Sequence, residues 1–312
     1  MVERVLVTGG TGMLGANLVR ALLGTGAQPI IVSRLNSDRW RLLEIADRIA
    51  VRELDYRDPS SVERLIAEEL PDAICHLAST PFDIVETSAL EHFDINLSAT
   101  IGLLEAVRIH APRCKFIYTG SCAAYGDGED LSEERRAEPT TMLGAAKQAG
   151  RMAIETFASL YGLRTLNLCL FTPYGPWEAK NRLIPQIAFS AFAGDRLQMT
   201  EGLQQRDFLY VDDVVEAFLA ALECEWPVGE TINICSGSAV SVRNLACKLL
   251  GILDVGTEPI FGALPTRPDE IMVVSGNNSR AVELLGWKPK ISLEEGLSKY
   301  ARWLKDNRHF YL

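Results

Sequence analysis

The stretch Val7-Thr8-Gly9-Gly10-Thr11-Gly12-Met13-Leu14-Gly15 holds glycines at two overlapping spacings, Gly9-x-x-Gly12-x-x-Gly15 and Gly10-x-Gly12-x-x-Gly15. Such a run lets the chain turn sharply after a strand and brings backbone N–H groups against a pyrophosphate, while the positive end of the next helix points at the same anion. The pattern alone is weak evidence. Here an apolar strand precedes it, a helical run follows it, and a second strand comes at the right distance, which together predict a dinucleotide site. That second strand ends in Val32-Ser33-Arg34, where an NAD site usually carries Asp or Glu to accept from the ribose 2′-hydroxyl. A carboxylate would repel a 2′-phosphate, whereas a hydroxyl and a guanidinium would bind it. NADP is therefore expected ahead of NAD. The plain alternative is that Arg34 is a solvated loop charge, with Asp38 nearby.

These residues need a scaffold, and the chain supplies an alternating one. Apolar strands are expected at Arg4–Thr8, Pro29–Ser33, Val51–Leu54, Ala73–Leu77, Lys115–Thr119 and Arg164–Phe171. Helical periodicity covers Met13–Leu23, Thr87–His110 and Gly144–Leu160. This order predicts an α/β fold, a Rossmann-type doubly wound parallel sheet with helices on both faces. Past Thr172 the rhythm changes: Pro173, Gly175 and Pro176 break the chain, and shorter helical runs follow at Leu183–Ala193, Asp212–Leu222 and Val242–Leu250. The expected organisation is a dinucleotide-binding domain over 1–172, with contributions from about 206–236, and a smaller, interleaved C-terminal lobe over 173–312.

The formal net charge of −10 and the lack of a Lys/Arg-rich block argue against nucleic acid and against an anionic membrane surface as partners. No apolar run is long enough to span a bilayer, and the opening residues lack a signal-peptide pattern, so a cytoplasmic protein is expected. None of the seven cysteines forms a CxxC pair or has zinc spacing with His, so no metal is expected, and buried inert thiols are the simple reading for all but Cys122.

The ordered set of motifs resembles the extended short-chain dehydrogenase/reductases that modify nucleotide sugars. Thr8 to Gly15 is similar to their cofactor fingerprint, Leu54-Asp55-Tyr56-Arg57-Asp58 to their adenine-contacting segment, and His76-Leu77-Ala78 to the strand end that lines the cofactor. Asn96 falls at their central-helix asparagine. Ser121 with Tyr125-Gly126 looks like their catalytic-serine strand end. Tyr174-Gly175-Pro176, Arg206 to Val214, Arg267-Pro268-Asp269-Glu270 and Leu285-Gly286-Trp287-Lys288-Pro289 resemble their substrate lobe and C-terminal signature. The resemblance implies cofactor contacts at Gly9, Gly12, Met13, Leu14, Gly15, Ser33, Arg34, Asp55, Tyr56, Leu77, Ala78, Ser79, Asn96 and Lys147. It implies a nucleotide-diphosphate sugar as substrate, with Thr172 in its pocket, Arg206 and Arg267 on the diphosphate and Asp269 on the ribose. Asp212 and Asp213 read more simply as caps of a helix starting near Val214. The resemblance also implies a homodimer paired through Thr87–His110 and Gly144–Leu160. Ile101, Leu104, Val107, Ile154 and Phe157 would form its seam unless they face the sheet.

One position departs from the family. Its members pair a serine with Tyr-x-x-x-Lys, in which the phenol moves a proton and the lysine holds the nicotinamide ribose. Lys147 fits the lysine, and counting back four residues gives Leu143. Leu143 exchanges no proton, which leaves three explanations. The chain is an inactivating variant of a tyrosine enzyme, or it uses another donor such as Tyr125, Cys122 or a water on Ser121, or it binds ligands without turnover. The bland readings are that Tyr125 lines the substrate pocket and that Cys122 only packs. The family's 4,6-dehydratases carry an Asp-Glu pair where this chain has Cys122-Ala123, so dehydration is disfavoured. Ser33-Arg34 tilts the remaining choice toward an NADP-dependent 4-keto-sugar reductase, with a 4-epimerase or a non-catalytic binding protein as alternatives.

Overall fold

A computed structural model describes residues 2–80, 87–267 and 270–311. Its centre is a seven-stranded, wholly parallel sheet in the order β11-β7-β5-β4-β1-β2-β3. The strands are β1 (Arg4–Thr8), β2 (Gln28–Ser33), β3 (Ala50–Glu53), β4 (Ala73–His76), β5 (Lys115–Ser121), β7 (Thr165–Leu170) and β11 (Glu230–Ile234). The central ones read as unbroken apolar runs because helices cover both faces. Val5, Val7, Ile117 and Leu168 point into one apolar layer, and Leu6, Ile74, Phe116 and Tyr118 into the other. Strand order reverses between β1 and β4, and the glycine run opens there, at the carboxyl end of the strands, where ligands bind in such sheets.

Helices α1 (Met13–Thr25), α2 (Pro59–Glu69), α3 (Ala89–Phe93), α4 (Ala99–His110), α5 (Met142–Tyr161) and α7 (Val211–Glu223) flank the sheet. The long helix expected over Thr87–His110 is interrupted: α3 and α4 are joined by a π-helical turn at Asp94–Ser98, with Asn96 buried inside it. The expected caps are also corrected. Helix α7 starts at Val211, so Asp212 and Asp213 lie in its first turn. The carboxylate of Asp213 accepts from the N–H groups of Lys290 (3.1 Å) and Ile291 (3.0 Å), which anchors the segment before α10 (Leu293–Asn307).

The second lobe gathers α6 (Leu183–Ala193), α8 (Val242–Leu253) and α10 around Ile187, Leu245, Leu249, Tyr300 and Leu304. Its small sheet runs β12 (Val240–Ser241), β9 (Gln205–Arg206), β13 (Val273–Gly276), β6 (Gly128–Leu131), and β8 (Thr172–Tyr174) pairs with β10 (Phe208–Tyr210). A short α9 (Ser279–Leu285) precedes Trp287. Asp207, fully buried, accepts from the N–H groups of Ser236 (2.7 Å), Gly237 (2.9 Å) and Gly276 (3.2 Å), so one carboxylate joins the end of β11 to the small sheet. Among the described residues no helix is long and apolar enough to cross a membrane, and no His/Cys/Asp/Glu group could hold a metal ion.

Candidate active site

The glycine run forms a tight cradle between β1 and α1. Gly9 has φ +68°, and a Cβ on Gly15 would lie 2.4 Å from the Gly9 carbonyl oxygen, so neither position tolerates a side chain. The cradle is tied to β4 by Thr8, whose Oγ1 lies 2.6 Å from His76 Nδ1 and accepts from the Ala78 N–H at 3.1 Å. Gly12 is the N-cap of α1 and brings no side-chain oxygen, which leaves first-turn N–H groups for an incoming anion. Beside it lies a cavity of about 190 Å³ lined by Gly9, Gly12, Ser33, Arg34, Ala78 and Ser79. Ser33 is buried, and its hydroxyl finds no partner among the described residues. Arg34 is exposed. A buried, unpartnered hydroxyl beside a close-packed glycine turn is what a dinucleotide would complete, so these residues fit the group. Gly12, Met13 and Leu14 would meet the pyrophosphate.

The second cofactor segment is differently organised. Asp55 is held by Arg57, with Oδ1 to Nε at 2.9 Å and Oδ2 to Nη2 at 2.8 Å, and this charge-assisted pair keeps its carboxyl below the usual range. Tyr56 is buried and donates its hydroxyl to the Val32 carbonyl (2.7 Å), bracing the end of β2. Arg57 lines the neighbouring cavity, about 720 Å³, together with Arg34, Asp38 and Asp55. No local pattern marks Arg57 as part of this site beyond its place after Asp55 and Tyr56 in the same segment.

The catalytic side is built where β5 ends. Ser121 caps a short turn at Cys122–Ala124, accepting from the Ala123 N–H at 3.2 Å. The first turn of α5 rests on that turn: a Cβ on Gly144 would lie 2.3 Å from the Ala123 carbonyl oxygen. This approach sets the first turn of α5, which carries Leu143 one helical turn before Lys147, against the turn that Ser121 caps. Lys147 is buried, donates to the Thr119 carbonyl at 2.9 Å, and places its Nζ 5.1 Å over the Tyr118 ring. Burial disfavours its charge and lowers its pKa to about 7. Leu143 is 9% exposed and belongs to none of the apolar clusters.

Neither Tyr118 nor Tyr125 supplies the missing phenol. Tyr118 is fully buried in β5, with its hydroxyl toward the carbonyls of Asn96 (3.4 Å) and Lys147 (3.5 Å), and burial drives its pKa up. Tyr125 donates to Asn233 Oδ1 at 2.8 Å and packs against Phe171, and burial drives its pKa up as well. Cys122 is half-buried, with its thiol pushed up to about 12 by desolvation, so it stays neutral near pH 7. Asn96 faces inward rather than into open space. Its Oδ1 accepts from Ser79 Oγ (2.8 Å) and its Nδ2 donates to Thr80 Oγ1 (3.1 Å), which fixes the segment after β4 together with Leu77 and Ala78.

On the substrate side, Arg206 is already paired. Its Nη2 donates to Glu270 at 2.5 Å and its Nη1 to the Ile271 carbonyl at 2.7 Å. In the sequence Glu270 stands only as the last residue of Arg267-Pro268-Asp269-Glu270, with nothing local to mark it as the partner of Arg206. Thr172 is half-buried and donates its N–H to the Asp207 carbonyl at 3.0 Å. Arg267 is exposed. Asp269 lies outside the described residues.

Comparison with known proteins places this geometry. A family model described as the NAD dependent epimerase/dehydratase family matches residues 5–235. A UDP-glucose 4-epimerase of Mycolicibacterium smegmatis is 30% identical over 97% of this chain and 99% of its own length. A dTDP-glucose 4,6-dehydratase of Neisseria meningitidis is 29% identical, over 99% of this chain and 95% of its own. Among solved structures, UDP-glucose 4-epimerase of Thermotoga maritima, crystallised with UDP-glucose, superposes with a TM-score of 0.89 at 28% identity, covering 98% of this chain and 100% of that one. UDP-glucuronic acid 4-epimerase from Bacillus cereus, in complex with UDP-glucuronic acid and NAD, gives 0.88 at 25% identity, covering 97% and 99%.

Proposed function

Because the chain belongs to the NAD dependent epimerase/dehydratase family, we propose that it is an NADP(H)-dependent oxidoreductase that reduces the 4-keto group of a deoxysugar on a nucleoside diphosphate. The observation that carries this reading is the end of β2. Ser33 brings a buried, unpartnered hydroxyl and Arg34 an open guanidinium to the cavity beside the glycine loop, β2 ending in no Asp or Glu; the carboxylate that lines this cavity, Glu91, comes from α3. A 2′-phosphate satisfies both groups, and a reductase consumes NADPH. When bound, the nicotinamide supplies the hydride.

The chain's own residues hold the sugar and receive the charge. An oxyanion developing at sugar C4 needs donors fixed in advance. Ser121, seated as a turn cap, and Lys147, fixed on Thr119, are such groups. Lys147 also reaches the nicotinamide ribose. Leu143 contributes only shape, so the proton comes from a water on Ser121, from Cys122 or from Lys147. The side chain of Tyr125, bonded to Asn233, serves the pocket wall. Arg206 and Arg267 take the diphosphate, Glu270 releasing Arg206 as the phosphate arrives. Asp269 takes the ribose and Thr172 the sugar. Cys122-Ala123 offers no carboxylate pair for eliminating water.

A 4-epimerase is the second reading, favoured by the relatives of that name. A non-catalytic binder is the third, favoured by Leu143. One experiment separates them: the protein is incubated with NADPH and 4-keto-6-deoxy nucleotide sugars, and with UDP-hexoses. Stoichiometric NADPH oxidation supports the reductase. Interconversion of epimers without net cofactor use supports the epimerase, and binding with neither supports the third. A homodimer through α4 and α5 belongs to the same proposal, with a revised seam. Leu104, Val107 and Ile154 are fully buried against the sheet, and Phe157 is largely so, which leaves Ile101, Met152 and Leu160 to face a partner.

A further inference from the structure

Behind the glycine loop lies a seam of aromatic and guanidinium groups drawn from distant parts of the chain. Trp40 and Arg41 open the 3₁₀ turn Trp40–Arg48 after β2. Arg41 donates from Nη1 to the Thr11 carbonyl (3.3 Å) in the loop and from Nε to the Trp177 carbonyl (2.7 Å). Its guanidinium lies 4.3 Å over the Trp40 ring. From α1, Arg20 holds the Arg41 carbonyl at 2.7 Å and stacks 4.3 Å over Trp177, while Asn17 donates to the Pro176 carbonyl at 3.0 Å. Trp177 has a φ of +69°, a strained value for a side chain of its size, so the surrounding contacts must hold it.

The other side of the seam is the 3₁₀ turn Arg308–Tyr311. Phe310 packs on Trp177 at 5.1 Å and Tyr311 on Trp40 at 5.2 Å. The Tyr311 hydroxyl donates to the Glu178 carbonyl at 2.8 Å. The peptide between Thr11 and Gly12 is thereby fixed at both ends. Its carbonyl is held by Arg41, and its N–H donates to Gly9 O at 3.0 Å. Met13 and Leu14 follow as the first residues of α1, so their amides point out of the helix N-terminus toward the loop.

We propose that Arg41 is a positioning residue for the dinucleotide site, and that the seating of Phe310 and Tyr311 on Trp40 and Trp177 sets, through Arg41, how firmly the glycine loop is held and how slowly the dinucleotide leaves. The inference rests on the dinucleotide reading above. Arg41 bridges two carbonyls that diverge, which a planar fork does and a lysine ammonium on a flexible stem does not. Its role is therefore the bridge more than the charge.

The test uses the full chain with Arg41→Lys, Arg41→Ala, the pair Phe310→Ala/Tyr311→Ala, and the combination of that pair with Arg41→Ala. Hydrogen exchange is measured without dinucleotide at the Gly12 and Ala16 amides, which donate to the Gly9 and Gly12 carbonyls, and the dissociation rate of NADPH by stopped-flow chase. Circular dichroism and thermal melting check the fold, and Tyr311→Phe replaces the pair if the pair unfolds. Exchange at those amides should rise roughly tenfold in Arg41→Ala and in the pair, with NADPH leaving faster by a similar factor. Arg41→Lys should resemble Arg41→Ala, and the combination should be no faster than Arg41→Ala alone. Unchanged exchange in the pair, within about twofold in a folded protein, overturns the proposal, as do effects that multiply in the combination. If the unaltered protein binds neither NADPH nor NADH, the dinucleotide reading fails while the exchange measurement still decides the coupling between seam and loop.

Discussion

Leu143→Tyr restores a phenol one turn before Lys147, and the structure sets what this should do. The two positions share one helix face, about 5–6 Å apart at Cβ. Lys147 is immobilised by its bond to the Thr119 carbonyl, so a phenol reaching toward it meets a fixed neighbour. When Lys147 is charged, it lowers the phenol pKa and makes proton transfer easier. A correctly placed general acid is worth roughly 10²–10⁴ in rate, about 3–5 kcal/mol of barrier. Leu143 is 9% exposed and outside the apolar clusters, so the larger ring must displace its neighbours, at a packing penalty of about 1–3 kcal/mol. The assay is a single turnover of enzyme-bound NADPH with a 4-keto-6-deoxy nucleotide sugar, followed by loss of nicotinamide absorbance. A chain that lacks only its acid should gain at least roughly 100-fold. A change below about threefold, with NADPH binding and the melting transition intact, refutes the assignment of position 143 as the missing donor. Loss of turnover in Cys122→Ala would then point to the thiol.

Three further outcomes follow from other parts of the molecule. Arg34→Ala should remove most of the preference for NADPH over NADH, on the order of 1.5–3 kcal/mol for a charge-assisted phosphate contact, and equal affinities in the unaltered protein, by calorimetry, would contradict the cofactor proposal. Lys147, with its pKa near 7, loses its charge as pH rises through that value, so reduction should slow above about pH 7, and Lys147→Met should flatten that limb of the profile. Glu178 is buried with one carboxylate oxygen unpartnered among the described residues, and desolvation raises its pKa to about 8. The native state thus keeps a proton that the unfolded chain releases above about pH 4.3. Stability should therefore fall as pH rises from there to about 8, by up to about 1.4 kcal/mol per unit. Glu178→Gln should abolish that slope in urea midpoints taken at successive pH values, and an unchanged slope would count against it.

The parallel sheet was legible because its central strands are unbroken apolar runs between glycine turns, and the cofactor cradle because its glycines are contiguous. Other signals were present but unread. Helix α2 opens with Asp58 as N-cap and Pro59 at its first position, and α10 with Ser292 three residues before Glu295. The π-helical turn carries no compositional mark: Asp94–Ser98 continues a helical pattern, and only the buried side chain of Asn96 shows why the turn widens. Leu104, Val107 and Ile154 have the right period for a partner or a sheet, and burial alone decides between them. The hardest part was Arg41. Its partners Thr11 and Trp177 lie 30 and 136 residues away, so no local pattern joins them. The pairing of Arg206 with Glu270, 64 residues on, was hidden for the same reason.

Strand β11 follows β8, β9 and β10 in the chain and precedes β12, yet it completes the large sheet as the neighbour of β7. The chain therefore visits the second lobe, returns to finish the first, and leaves again. All six residues of β7 are buried, and its pairing with β11 runs from Leu166 to Leu170. A fragment ending near residue 172 would keep the glycine cradle but present β7 as a bare, flat, apolar edge. Such an edge recruits a strand from another molecule, so the isolated first half should aggregate rather than serve as a free dinucleotide-binding module.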